Sequence, residues 1–271
     1  MQYVEAEINY QGRMEGRPYY YANDHSRDRM ALEGHHVRII DSRGERDAIR
    51  FGDQGFQLLD HVSAVTDFRD HDQVAAIYSP EINALVKELT SASSVLMVPR
   101  GVLRFSGRSG EAGSQDNSQV AGFVHVDSTV NAIPTLLGMT LKANGLDAPP
   151  TDRYIAFNAW RVISDPPQDY PLTVCDMRSL SEPDLVKAEA IFDLKGAPEW
   201  SFESYLVQYN PAHRWHYFSN MTRDEVLVFK SFDSEQQPLQ CVPHVAFADP
   251  TCPADAPPRA SIEVRGYAFF E

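Results

Sequence analysis

Val120-Ala-Gly-Phe-Val-His-Val-Asp127 is the stretch on which the reading of this chain turns. It is apolar and partly β-branched, and Ser128-Thr129 closes it, a pattern that predicts a strand. Successive strand residues face opposite ways, so His125 and Asp127 share one face while Val126 takes the other. A histidine and a carboxylate spaced in this way can converge on one metal ion. A second histidine from a distant strand completes a two-histidine, one-carboxylate set, which leaves coordination positions open. His244, His213 and His216 are the candidates for that third ligand. Fifteen positions after His244, Arg259-Ala-Ser261 puts a guanidinium fork and a hydroxyl on one face of a C-terminal strand. That chemistry suits a dicarboxylate, which arginine grips through two parallel hydrogen bonds. The same period of two adds Glu263 and Arg265 to that face, so Arg265 could replace Arg259 or meet a substrate. H-x-D alone is a common accident. Its weight comes from the order of H-x-D, histidine and Arg-x-Ser in a strand-rich chain.

The 271 residues suit one domain with a substantial core. A formal charge of −14 argues against non-specific nucleic-acid or anionic-membrane binding, which needs a basic face. Cys175, Cys241 and Cys252 lack zinc-ligand spacing; Cys241 and Cys252 could pair, but reduced thiols are the expectation. No run is apolar over the ~18 residues that a membrane span requires. The N-terminal residues lack the basic and apolar regions of a secretory signal, so a cytoplasmic location is expected. Asn220-Met-Thr222 is then a coincidental glycosylation pattern.

Residues 1–70 read as a strand-rich extension packed on a core of residues 71–271. Val37–Ile40 and Gly55–Val62 are strands within it. A helix is expected from Ser79-Pro80-Glu81, with serine as N-cap and Ile82, Leu85, Val86 and Leu89 on one face. Ser106–Ser118, holding Gly107, Gly110 and Gly113, reads as a loop and a candidate lid. Asn131–Asn144 reads as a second helix, and residues 154–163 as a buried strand. Ser181-Glu-Pro-Asp184 forms a capping box ahead of a short helix carrying Leu185, Val186 and Ala190. Short strands then alternate with turns to Phe270. The expected fold is mainly β with flanking helices, a double-sheet jelly roll.

From Asp41 to Arg265 the chain resembles the hydroxylase/desaturase family often labelled AsaB-like or CmcJ-like, relatives of the cephalosporin C-7 methoxylation component. The resemblance is carried in order by Asp41-Ser-Arg-Gly-Glu45, Phe68-Arg-Asp70, Tyr78-Ser-Pro-Glu81 and Val124-His-Val-Asp127. It continues in Asn158-Ala-Trp-Arg161, Asn210-Pro-Ala-His-Arg-Trp-His-Tyr-Phe218, Asp224–Lys230, His244-Val-Ala-Phe247 and Pro258–Arg265. Two segments depart from the usual pattern: Val98–Phe105, where an arginine-bearing segment precedes H-x-D, and Val162-Ile-Ser after Arg161. The resemblance implies a double-stranded β-helix of the Fe(II)/2-oxoglutarate oxygenase type, with iron(II) on His125, Asp127 and His244. It implies 2-oxoglutarate on Arg259 and Ser261, with dioxygen as the other co-substrate. The implied activity is hydroxylation, desaturation or ring closure of a small molecule, drawn from secondary metabolism or derived from an amino acid. The alternatives are an iron oxidase that uses no keto acid and a silent accessory subunit of a two-component enzyme. An aspartate at position 127 disfavours halogenation.

Arg161, Trp160, Tyr217, His213 and Arg265 are the candidate substrate contacts, and no catalytic residue is expected beyond the metal site. Arg161 reads equally as a pocket group or as the partner of Asp176. Arg161 and Arg265 motivate a carboxylate-bearing substrate. A homodimer or a second component is the expected protein partner. Lys230 and Asp233 read as a structural pair, and His25, His35, His36, His61 and His71 as surface residues.

Overall fold

The computed structural model describes residues 2–235 and 240–271. In chain order its strands are β1 (Gln2–Gln11), β2 (Tyr19–Tyr21), β3 (Leu32–Asp41), β4 (Phe56–Asp60), β5 (Ser94–Met97), β6 (Val102–Phe105), β7 (His125–Val126) and β8 (Arg153–Val162). They continue as β9 (Leu172–Cys175), β10 (Leu185–Phe192), β11 (Trp200–Val207), β12 (Trp215–Tyr217), β13 (Glu225–Asp233), β14 (His244–Ala246) and β15 (Ala260–Phe270). Nine strands form one sheet in the order β1-β3-β12-β9-β14-β7-β11-β10-β2. Six more strands form the opposing sheet, β4-β13-β8-β15-β5, with β6 also paired to β15. The larger sheet curls, so that Asn9 of β1 bridges Phe123 just before β7. Residues 1–70 supply β1, β2 and β3 to one sheet and β4 to the other.

The two sheets pack through Phe56, Trp160, Val174, Phe218 and Phe229, all buried. The outer face of the smaller sheet is covered by the Ser79–Thr90 helix, whose Ile82 and Val86 meet Phe157, Ala159, Ile262 and Val264. Strands buried on both faces need apolar side chains on both, except where a polar group has a partner, and β8 and β15 follow that rule.

Two local expectations are corrected. Ser79 is not an N-cap, because helical backbone already runs from His71 through a π-helical turn at Val74–Tyr78. The cap is Asp70, whose carboxylate accepts from the N–H groups of Asp72 and Gln73 at 2.9 and 3.2 Å. The capping box at Ser181–Asp184 exists, but it starts a single 3₁₀ turn rather than a helix. Leu185–Phe192 then pairs along its whole length with β11, from Leu185↔Val207 to Phe192↔Trp200. A cap satisfies one or two donors, and eight laddered pairs outweigh it. The Val120–Asp127 strand is shorter than its apolar run suggests: only His125 and Val126 join the ladder. All three cysteines are free thiols.

Candidate active site

The site lies between the sheets. β7 and β14 are neighbours, and their register sets His244 directly opposite His125. The two imidazoles stand with ring centroids 4.3 Å apart. Asp127 follows β7 and faces the same way as His125, while Val126 turns outward to Tyr205 and Cys241. One ligand atom from each of His125, Asp127 and His244 lies within 4.8 Å of the others, the one such histidine and carboxylate cluster among the described residues.

The backbone fixes the imidazole tautomers. His125 Nδ1 faces the Phe123 carbonyl at 3.0 Å, and His244 Nδ1 faces the Val242 carbonyl at 3.2 Å. Each Nδ1 must donate there, so each Nε2 carries a lone pair. Both Nε2 atoms face Asp127 Oδ1, at 3.7 and 3.9 Å. These distances exceed a hydrogen bond, so three lone-pair atoms converge without bonding one another. Burial, and His244 beside it, push His125 down to about 3, which keeps its imidazole neutral as a metal ligand requires. Burial alone would raise Asp127, but Arg265 and the two histidines hold it well below the usual carboxylate range. A neutral N, N and anionic O donor set with open sides fits a divalent iron.

The smaller sheet supplies the groups around this cluster. On β15, Ile262 and Val264 face the outer core; Arg259, Glu263 and Arg265 take the opposite face, which the period of two anticipates. Arg265 donates to Asp127 Oδ1 at 3.2 Å and to Glu263 Oε1 at 2.8 Å. Arg259 is 1% exposed and lines a narrow cleft with His125, His244, Trp160 and Arg104. Its Nη1 donates to the Tyr170 carbonyl at 2.9 Å, while its Nε is buried without a partner among the described residues. Burial, with Arg104 nearby, pushes its guanidinium down to about 9. A buried cation so poorly paired is costly, and an anion in the cleft would relieve it. Ser261 is buried too, but its hydroxyl turns to the Arg104 carbonyl at 3.4 Å.

Asp127, Asn158 and Arg265 also form part of the wall of a second cavity, of about 360 Å³. Ile133, Leu136 and Met139 of the Ile133–Ala143 helix line one side of it. Phe192, Trp200 and Phe202 of the β10–β11 hairpin line another, with Phe192 and Trp200 stacked at 4.5 Å between centroids.

Several sequence candidates lie elsewhere. Arg161 points to the outer face of β8, where Nε donates to the Tyr78 hydroxyl at 3.1 Å and Nη1 to the His61 and Arg223 carbonyls. It is neither a pocket group nor the partner of Asp176, which pairs with Arg178 and Arg214. His213 is bound to Asp184 and stacked on Tyr10, and His216 is held by Ser42. Neither joins the cluster. Tyr217 packs edge-on against Phe247, away from the metal-ligand candidates. His61, expected at the surface, is half-buried against Arg161. Lys230 and Asp233 do pair, at 3.1 Å in the core. The Ser106–Ser118 loop is tied at Glu111 by Arg69 and at Asn117 by Asn23. Sequence alone singles out neither Arg104 nor Asn158: Asn158 opens the Asn158–Arg161 motif that carries the resemblance, whereas Arg104 stands in Val98–Phe105, which departs from the family pattern.

A family model described as "Oxidoreductase/YMDC permease-like domain" matches residues 1–269. The chain is 32% identical over 249 residues to the Fe(II)/2-oxoglutarate-dependent dioxygenase nvfI of Aspergillus novofumigatus, covering 87% of this chain and 83% of that one. It is 31% identical over 260 residues to the hydroxylase/desaturase efuI of Hormonema carpetanum, covering 90% and 86%. A solved structure of the iron and alpha-ketoglutarate-dependent endoperoxidase NvfI matches at a TM-score of 0.79 and 25% identity, over 99% of this chain and 98% of that one. The chain belongs to the Fe(II)/2-oxoglutarate-dependent hydroxylase/desaturase family. This oxygenase has the expected jelly-roll fold. No helix among its described residues is long and apolar enough to cross a membrane.

Proposed function

We propose that His125, Asp127 and His244 hold the iron, that Arg259 receives the distal carboxylate of 2-oxoglutarate, and that the substrate lies in the apolar cavity beyond Asp127. The convergence of three lone-pair atoms on one point carries this reading. When bound, iron(II) with 2-oxoglutarate and dioxygen supplies a two-electron oxidation of a substrate C–H bond, the keto acid leaving as succinate and carbon dioxide.

The chain's own residues do the rest. The Phe123 and Val242 carbonyls hold both imidazoles in the metal-binding tautomer. The cleft of Arg259 opens onto the two histidines, so a dicarboxylate gripped there has its other end beside the metal ligands. Trp160 supports the guanidinium, whose carbon lies 5.6 Å from the ring centroid. The wall of the larger cavity reaches Asp127, so a small molecule held against Leu136, Phe192 and Phe202 lies beside the metal ligands. Neither arginine that motivated a substrate carboxylate offers it a free guanidinium, since Arg161 is sealed on the outer face and Arg265 is paired with Asp127 and Glu263; Arg100 is the arginine in the cavity wall that could meet one. A substrate with a largely apolar body suits the rest of this lining. Hydroxylation, desaturation and ring closure all remain within reach of this arrangement.

Anaerobic titration of the metal-free protein with iron(II), with and without 2-oxoglutarate, tests the assignment. A weak visible band that needs the keto acid, vanishes in His125→Ala and weakens in Arg259→Ala is the expected result. Iron binding that survives His125→Ala would overturn it.

A further inference from the structure

We infer that Asn158 and Ser231 form a relay that aims Asp127 at the metal, so that Asn158 is a positioning residue for the iron site. The inference rests on the ligand assignment above. His125 and His244 are pinned by backbone pairing, each with its ring locked by a carbonyl. Asp127 has neither support, because β7 ends at Val126. Its carboxylate is held by side chains from the opposite sheet.

The two carboxylate oxygens are treated differently. Oδ1 faces both histidine Nε2 atoms, and Oδ2 accepts a hydrogen bond of 2.6 Å from Asn158 Nδ2. That bond occupies the outer oxygen and leaves Oδ1 for the metal, which favours one-oxygen coordination. It works only if the amide presents its NH₂ to Asp127. The carboxylate, an acceptor only, itself demands that end, and Ser231, on the adjoining strand β13, holds the other: its hydroxyl donates to Asn158 Oδ1 and restrains the swing of the amide. Asn158 is 1% exposed and Ser231 9%, so little water is at hand to replace either bond. Arg265 is not equivalent, because it contacts Oδ1, the oxygen that the metal would share.

β8 thereby serves both halves of the site from one face. Asn158 steadies a metal ligand and, two residues on, Trp160 steadies Arg259, while Ala159 and Arg161 face the outer core.

The test is cobalt(II) affinity of the metal-free protein, read from the cobalt absorption spectrum without turnover. Asn158→Leu is expected to weaken binding by about 10- to 100-fold, the range for partners of metal ligands. Ser231→Ala is expected to weaken it in the parent and to have no further effect on top of Asn158→Leu, since both act through one bond. A thermal scan of each metal-free variant confirms that it is folded. If Asn158→Leu folds and binds cobalt within about twofold of the parent, or if the two substitutions add, the relay is overturned. If the parent itself fails to bind cobalt, the ligand assignment falls, and the relay with it. If Asn158→Leu does not fold, Asn158→Ala replaces it, removing the donor without adding bulk or charge, and undiminished affinity there overturns the relay equally.

Discussion

Arg259→Met separates two consequences of one buried cation. Among the described residues the guanidinium makes a single hydrogen bond, to the Tyr170 carbonyl at 2.9 Å, and its Nε has no partner. Replacing a buried, poorly paired charge with an apolar side chain of similar length is neutral or stabilising by about 1–4 kcal/mol. Stripping the Tyr170 carbonyl of its donor costs about 1–3 kcal/mol in return. The two nearly cancel, so the metal-free variant should lie within roughly 2 kcal/mol of the parent in urea unfolding. Co-substrate binding has no such compensation. A fork of two charge-assisted bonds at about 1.5 kcal/mol each is the low end, and its loss amounts to roughly a 100-fold weaker grip on 2-oxoglutarate. The assay is anaerobic titration of the iron-loaded protein with the keto acid, beside urea unfolding of the metal-free form. A keto-acid affinity within threefold of the parent would refute the assignment of Arg259. A loss of 4 kcal/mol or more in the metal-free form would show instead that the arginine is a structural tie, on the order of what breaking a buried pair costs.

Arg161→Ala should show the reverse pattern, destabilising the protein by about 3–5 kcal/mol because the Tyr78 hydroxyl and two carbonyls lose their donor. Iron and keto-acid affinities of the folded fraction should be unchanged, and a selective loss of either would return Arg161 to the pocket. Asp70→Ala should lower the thermal midpoint by a few degrees while Ser79→Ala leaves it in place; the opposite ranking would restore Ser79 as the cap. His216 should make the protein acid-sensitive. Burial pushes it down to about 4 against an ordinary 6.5; Asp176 works against that shift while Arg214 and Arg178 reinforce it. The unfolded chain therefore takes up the proton first: this contribution is intact above pH 6.5 and is lost as the pH falls toward 4. The loss amounts to about 3 kcal/mol at 1.36 kcal/mol per unit. Urea midpoints between pH 7 and 4 should fall less steeply in His216→Asn, and an unchanged slope would acquit His216.

The part of the site that was legible from sequence was the part governed by strand alternation. H-x-D could be read because two residues on one face need only an extended backbone, and the face of Arg259, Glu263 and Arg265 followed from the same period. Alternation also held the answer for Arg161. Trp160 and Arg161 are adjacent on β8 and cannot both face the cleft, and Trp160 does. The sequence offers both as substrate contacts because β8 is apolar on both faces, and apolarity gives no sign of which face is inner. Leu185–Phe192 was misread for a different reason. A capping box is a local signal, whereas the ladder to β11 depends on residues eight to twenty-two positions away. Asn158 and Arg104 were missed because their roles depend on register between strands distant in sequence, Asn158 against Ser231 of β13 and Arg104 opposite Ser261.

That division has a consequence for how the site is built. The larger sheet supplies His125 and His244, with Asp127 directly after β7, and the smaller sheet supplies Asn158, Trp160 and Arg265, with Arg259 directly before β15. The histidines are fixed within their own sheet, so their geometry survives small changes in how the sheets pack. Asp127 and the co-substrate arginine are not: each depends on contacts across or beneath the inter-sheet core of Phe56, Trp160, Val174 and Phe229. A bond of 2.6 Å from Asn158 tolerates little displacement, since hydrogen bonds weaken steeply beyond their normal length. Changes in that core should therefore blunt metal and keto-acid binding before they unfold the protein. The apolar core between the sheets thus acts as part of the iron site's support as well as of the fold's stability.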